Sequence, residues 1–191
     1  MSGALAGVVL GAPSVAMADE APVDRGMVND QTDEKGEHRI QKAKAALSGS
    51  QEDPLVIATP GEGKFWAKIN EEKEEIEYKL SYEDLPTDVA AAHIHFGGKA
   101  QSGGIIAFLC SNGGNANSAS ADVPECPPGD GEVNGVLTPE RVIGPEAQGI
   151  NPGEFEKLVE AIKDGVAYVN VHTEQYPNGE IRGQVKLKER R

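Results

Sequence analysis

The chain is short of positive charge and of cysteine, and each shortage excludes something. Its 191 residues carry 18 Lys and Arg against 31 Asp and Glu, a net charge of −13. Such a surface repels nucleic acid and anionic lipid headgroups, so nucleic-acid binding is set aside. After residue 18 no apolar run approaches the roughly 18 residues of a membrane span, and position 19 is Asp, not a cysteine that could take a lipid. Only two cysteines are present, Cys110 and Cys126. Their spacing does not resemble a zinc knuckle, and a thiol pair acting as metal ligands needs two further donors nearby. No Gly-x-Ser-x-Gly elbow, phosphate loop or HExxH helix occurs, so the chemistries those motifs serve have no foothold. Carboxylates are abundant, but none forms a pair that sequence alone marks as perturbed.

What is present begins with an uncharged segment, Ser2 to Ala18, rich in Ala, Gly, Val and Leu and ending in Ala16-Met17-Ala18 before Asp19 and Glu20. It reads as a secretory signal peptide over 1–18 with an AxA-type cleavage site. Residues 19–42 are charged and poor in large apolar side chains, as expected of a flexible leader. His38, between Glu37 and Arg39, reads there as a solvated histidine. In an exported chain an even cysteine count predicts a Cys110–Cys126 disulfide, worth on the order of 3 kcal/mol for a loop of this size.

The remainder, 43–188, is one domain's length. Strand signals recur at Ala43–Leu47, Gly63–Asn70, Ile76–Tyr82, Val89–Phe96, Ile105–Leu109, Gly165–His172 and Glu180–Leu187. Their alternation and close spacing predict an all-β antiparallel sandwich or barrel. The acidic run Glu71 to Glu74 reads as a solvated hairpin turn. Phe155, Leu158, Val159 and Ile162 have helical spacing after Asn151-Pro152-Gly153, which predicts one short helix packed on the β structure. The stretch Ser111 to Gln148 reads as a long loop.

Three of the four histidines lie in strand-like sequence. On a strand, residues two apart share a face about 6.5–7 Å apart, so His93 and His95 point one way and Ile94 the other. In the later run Tyr168, Asn170 and His172 share a face, opposite Ala167, Val169 and Val171. Were these two strands neighbours, three imidazoles would converge on the side away from the core, in an open site. Imidazole suits copper, and zinc is possible instead. The competing reading makes them sheet-surface histidines bonded to neighbouring carbonyls or to Thr173.

The blocks AKAALSGSQEDP, AAHIHFGG with GGIIAFLC, and AIKDGVAYVNVHTEQYPNGEIRGQV resemble the CHRD, or chordin-type, domain from about Ala43 to Leu187. That resemblance implies an immunoglobulin-like antiparallel β fold in a secreted protein. A weaker resemblance is to copper/zinc superoxide dismutase, in which an H-x-H strand and a later histidine bind copper outside a β-barrel. It implies His93, His95 and His172 as copper ligands and Arg182, in Pro177-Asn178-Gly179-Glu180-Ile181-Arg182, as the guide for an anion. A bridging histidine and a zinc set are not evident, so the resemblance implies a copper-only site.

Three functions follow as expectations. The first is a secreted protein binding copper through the three histidines. The second is a copper-only, superoxide dismutase-like enzyme with superoxide as substrate. In the third, the protein binds another extracellular protein through the Ser111 to Gln148 region and holds no metal. Arg182 outside an enzyme would be a strand-end charge paired with Glu180 or Glu174, a surface bridge worth little.

Overall fold

The computed structural model describes residues 40–112 and 123–188. The signal-peptide segment, almost all of the 19–42 leader and His38 lie outside the described residues, as do residues 113–122. Among the described residues there are nine strands and one α-helix: β1 Gln41–Ser48, β2 Glu62–Asn70, β3 Glu75–Glu83, β4 Val89–Phe96, β5 Ile105–Ser111, β6 Gly131–Leu137, α1 Phe155–Lys163, β7 Ala167–Thr173, β8 Ile181–Gln184 and β9 Lys186–Leu187. All pairings are antiparallel, in the order β5-β4-β7-β8-β1-β2-β3-β6, with β9 also on β1.

The end strands β5 and β6 approach each other, so the sheet curls into a nearly closed barrel. Tyr78 of β3 ties that seam by donating its hydroxyl to the Leu109 carbonyl of β5 at 2.6 Å. Strict alternation puts Ala43, Ala45 and Leu47 of β1, Phe65, Ala67 and Ile69 of β2 and Ile76, Tyr78 and Leu80 of β3 inside. Ile94, Val169 and Val171 join them from β4 and β7. Helix α1 buries Phe155, Leu158, Val159 and Ile162 against this core, as its spacing predicts.

Several strand ends differ from the sequence reading by one or two residues, and three departures bear on the fold. β1 starts at Gln41, two residues early. The last expected strand is two, because at Val185 the backbone leaves β8 and its N–H bonds the Ala167 carbonyl at 2.9 Å. The expected long loop contains β6, which pairs in register with β3 from Gly131 to Leu137. Gly135 interrupts the apolar alternation there for a steric reason: a Cβ would lie 2.5 Å from the Tyr78 hydroxyl.

Candidate metal centre

β4 and β7 are neighbours, with His93 opposite Asn170, His95 opposite Tyr168, and Ala91 opposite His172. The three histidines therefore share the outer face of the barrel wall, while Ile94 and Val171 point into the core. The β4–β5 ladder shifts register on both sides of the His93–Ile94 pair. Such irregularities bend a strand and re-aim side chains, here at the residues that converge. Ring centroids stand 4.8 Å apart for His93 and His172, 5.4 Å for His93 and His95 and 5.9 Å for His95 and His172. One nitrogen from each ring forms a set whose members all lie within 4.8 Å of one another, a group able to hold a metal ion. Ligands about 2 Å from one ion stand at most about 4 Å apart, so closing on an ion takes ring movements of about 1 Å.

The site is not open as expected. His93 and His95 are buried and His172 is half-buried, because two loops fold over the outer face. Residues 97–104 form one cover. Arg182 donates to the carbonyls of Gly98 at 2.9 Å and Gln101 at 2.8 Å, and Gln184 donates to that of Gly97 at 2.8 Å. The Gly103 N–H donates to the Tyr168 hydroxyl at 3.1 Å. Residues 174–180 form the other, packed on Asn170 and Glu52 at Gly179, where φ is +123° and a Cβ would meet both side chains.

These loops set the proton positions. His95 Nδ1 lies 2.9 Å from the Gly103 carbonyl and His172 Nδ1 lies 3.0 Å from the Pro177 carbonyl. A carbonyl only accepts, so both Nδ1 atoms carry the hydrogen and both Nε2 atoms carry a lone pair. Among the described residues neither Nε2 has a hydrogen-bond partner, nor does either nitrogen of His93, whose ring meets Phe108 edge-on at 4.4 Å. Burial pushes the His93 imidazole down to about 2 and that of His95 to about 4, and it lowers His172 as well. All three are neutral at pH 7, the form that binds a metal.

Arg182 is not at the surface. It is 2% exposed, and its guanidinium carbon lies 3.5 Å from the centre of the Tyr168 ring. His95 stacks on the same ring at 4.9 Å and 7°. Because β7 runs between β4 and β8, Tyr168 separates the imidazole from the guanidinium. Arg182 forms no ion pair with Glu180 or Glu174. Thr173 does not serve the histidines either: it faces the other way and donates to Glu180 Oε2 at 2.6 Å.

Sequence reasoning missed Glu52, which is buried with its Oε2 3.3 Å from the Asn170 amide and one oxygen unpaired. Burial raises its carboxyl to about 7 against the opposing effects of Asn170 and Arg182. Nothing around it in sequence marked it, since it reaches the site from the turn after β1. The expected disulfide is present, Cys110 to Cys126, with an S–S distance of 2.07 Å.

The family model of the CHRD domain matches residues 43–185. No curated protein matches the chain in sequence.

Proposed function

The chain belongs to the CHRD domain family, and from that premise we propose that it is an exported protein that binds one metal ion, copper first, through His93, His95 and His172. One observation carries the reading: three neutral imidazoles turn enclosed, unpartnered nitrogens toward one another. A buried acceptor without a partner costs about 1–3 kcal/mol, so a cluster of them calls for something to bind. The His95 and His172 Nδ1–H bonds to backbone carbonyls also match how metal-binding histidines are held, because they fix ring orientation and leave Nε2 free. Three imidazoles accept copper or zinc, and the order of divalent affinities favours copper. Export is supported by the Cys110–Cys126 disulfide and by the expected signal segment. Among the described residues no helix is long and apolar enough to cross a membrane.

A copper ion held by imidazoles would supply one-electron chemistry. Dismutation of superoxide with Arg182 as guide is the less favoured use, because the guanidinium sits beyond Tyr168 and is tied to two carbonyls. The enclosed nitrogens suit holding an ion better than turning over an anion.

Elemental analysis after dialysis against a mild chelator tests the reading. About one equivalent of copper should remain on the wild-type protein and be lost from His172→Ala and His95→Ala. A wild-type chain that keeps neither copper nor zinc after loading overturns it.

A further inference from the structure

The opposite side of the barrel, on β9, β1, β2 and β3, gathers more than half of the chain's lysines. Register alone builds it. Lys186 pairs with Lys44, Lys44 with Trp66, and Trp66 with Lys79, so these four side chains form one row across four strands. In the next row the Lys188 N–H bonds the Lys42 carbonyl, and Lys42 pairs with Lys68. Lys64 extends β2 beyond Trp66 on the same face. Seven of the chain's twelve lysines thus stand on one sheet surface of a protein whose net charge is −13. Neighbouring strands lie about 4.8 Å apart and same-face residues along a strand about 6.5–7 Å apart, so the charges are closely packed.

Glu62 at the start of β2 apart, the carboxylates of this surface lie on β3 and β6. There Glu77 takes Lys68 at 3.1 Å and Glu132 takes Lys79 at 2.6 Å. Lys42, Lys44, Lys186 and Lys188 have no carboxylate partner among the described residues. Lysines often blunt sheet edges against unwanted pairing. That role fits Lys186 on β9 and Lys188 just after it but not Lys42 and Lys44, whose strand is paired on both sides. Trp66, the only tryptophan, is 39% exposed in the midst of the lysines. An indole left on a solvated, charged face offers an apolar plane for a ring to lie on.

We propose that the Lys42, Lys44, Lys186, Lys188 and Trp66 surface binds a linear anionic polysaccharide, with the ammonium groups on its charges and a sugar ring on the indole. Charge complementarity selects a polyanion. The single flat aromatic, with no cluster of apolar side chains to enter a bilayer, selects a glycan over a lipid surface. The surface lies away from the histidines and is independent of metal binding.

The test is retention of the full chain at pH 7 and low salt on immobilised dextran sulfate and on immobilised alginate, which separate sulfate from carboxylate recognition. The wild type should be retained on at least one, despite its net charge, and elute as salt screens the contacts. Lys42→Glu with Lys44→Glu should abolish retention, and Trp66→Ala should weaken it roughly three- to tenfold. An unchanged urea midpoint would show that each exposed-site variant has kept its fold. Passage of the wild type through both columns, retention of the double variant, or equal binding to vesicles rich in anionic lipid overturns the proposal.

Discussion

At the scale of single residues, the histidines depend on groups that hold no lone pair for a metal. Gly103 shows how tightly: a Cβ there would lie 1.7 Å from the Phe96 carbonyl oxygen, a backbone atom that cannot swing aside. Gly103→Ala must therefore displace the loop whose carbonyl orients His95. It should lower stability by about 1–3 kcal/mol and weaken metal binding about 10- to 100-fold, read by thermal unfolding and by competition with a chelating dye. Unchanged affinity would mean that the His95–Gly103 bond does not position the ring. The candidate ligands on β4 were legible because a period of two is a local property: His93 and His95 needed no knowledge of the fold to share a face. Arg182 was not legible. A charged residue near a strand end is ordinarily solvated, and its burial comes from residues 97–104 folding over it, a contact more than 80 residues away in sequence.

At the scale of elements, strands with clean alternation were readable and β6 was not. Its inward positions are Val133, Gly135 and Leu137, and the glycine required under Tyr78 removes the middle apolar signal. The covers of the metal centre, 97–104 and 174–180, are rich in glycine and turn residues, and such composition says where a chain bends but not what it lands on. Disulfide and hydrogen bonds make an element of the segment before β6. Asn112 donates to the carbonyls of Val89 at 2.9 Å and Cys126 at 2.8 Å, and accepts from the Cys126 N–H at 2.8 Å. Replacing both cysteines by serine should cost about 3 kcal/mol by lengthening the free loop of the unfolded chain. It should leave copper content unchanged, since Asn112 still anchors the segment and no ligand lies in it. Urea midpoints with and without reductant check the first expectation, and elemental analysis of the variant checks the second.

At the scale of the whole molecule, the buried histidines make stability depend on pH. Their ordinary value is 6.5, and in the folded, metal-free chain His93 falls to about 2 and His95 to about 4, with His172 lowered too. Above pH 6.5 they are neutral in both states and contribute nothing to the difference. Below it the unfolded chain takes up protons that the folded chain refuses, so stability falls as pH drops from 6.5 toward 4, by about 1.4 kcal/mol per pH unit for each of His93 and His95, with His172 adding in the same direction. Glu52 acts in the opposite sense. Its carboxyl is raised from 4.5 to about 7, so the folded state accepts a proton that the unfolded state does not between those values. The stability this adds is present below 4.5 and lost as pH rises through 7, and between 7 and 4.5 it offsets about one histidine. The net fall from His93 and His95 is then about 1.4 kcal/mol per pH unit, made steeper by His172, a large share of an ordinary total stability. Urea midpoints of the metal-free protein at pH 7.5, 6 and 5 should decrease in that order, and a Glu52→Gln variant should show a steeper decrease. A bound ion competes with protons for the same nitrogens, so the copper-loaded protein should hold its midpoint to lower pH than the metal-free one. A metal-free midpoint that does not move across this window would mean the three rings take up protons in the folded chain as freely as in water, and that the loops over them do not exclude solvent.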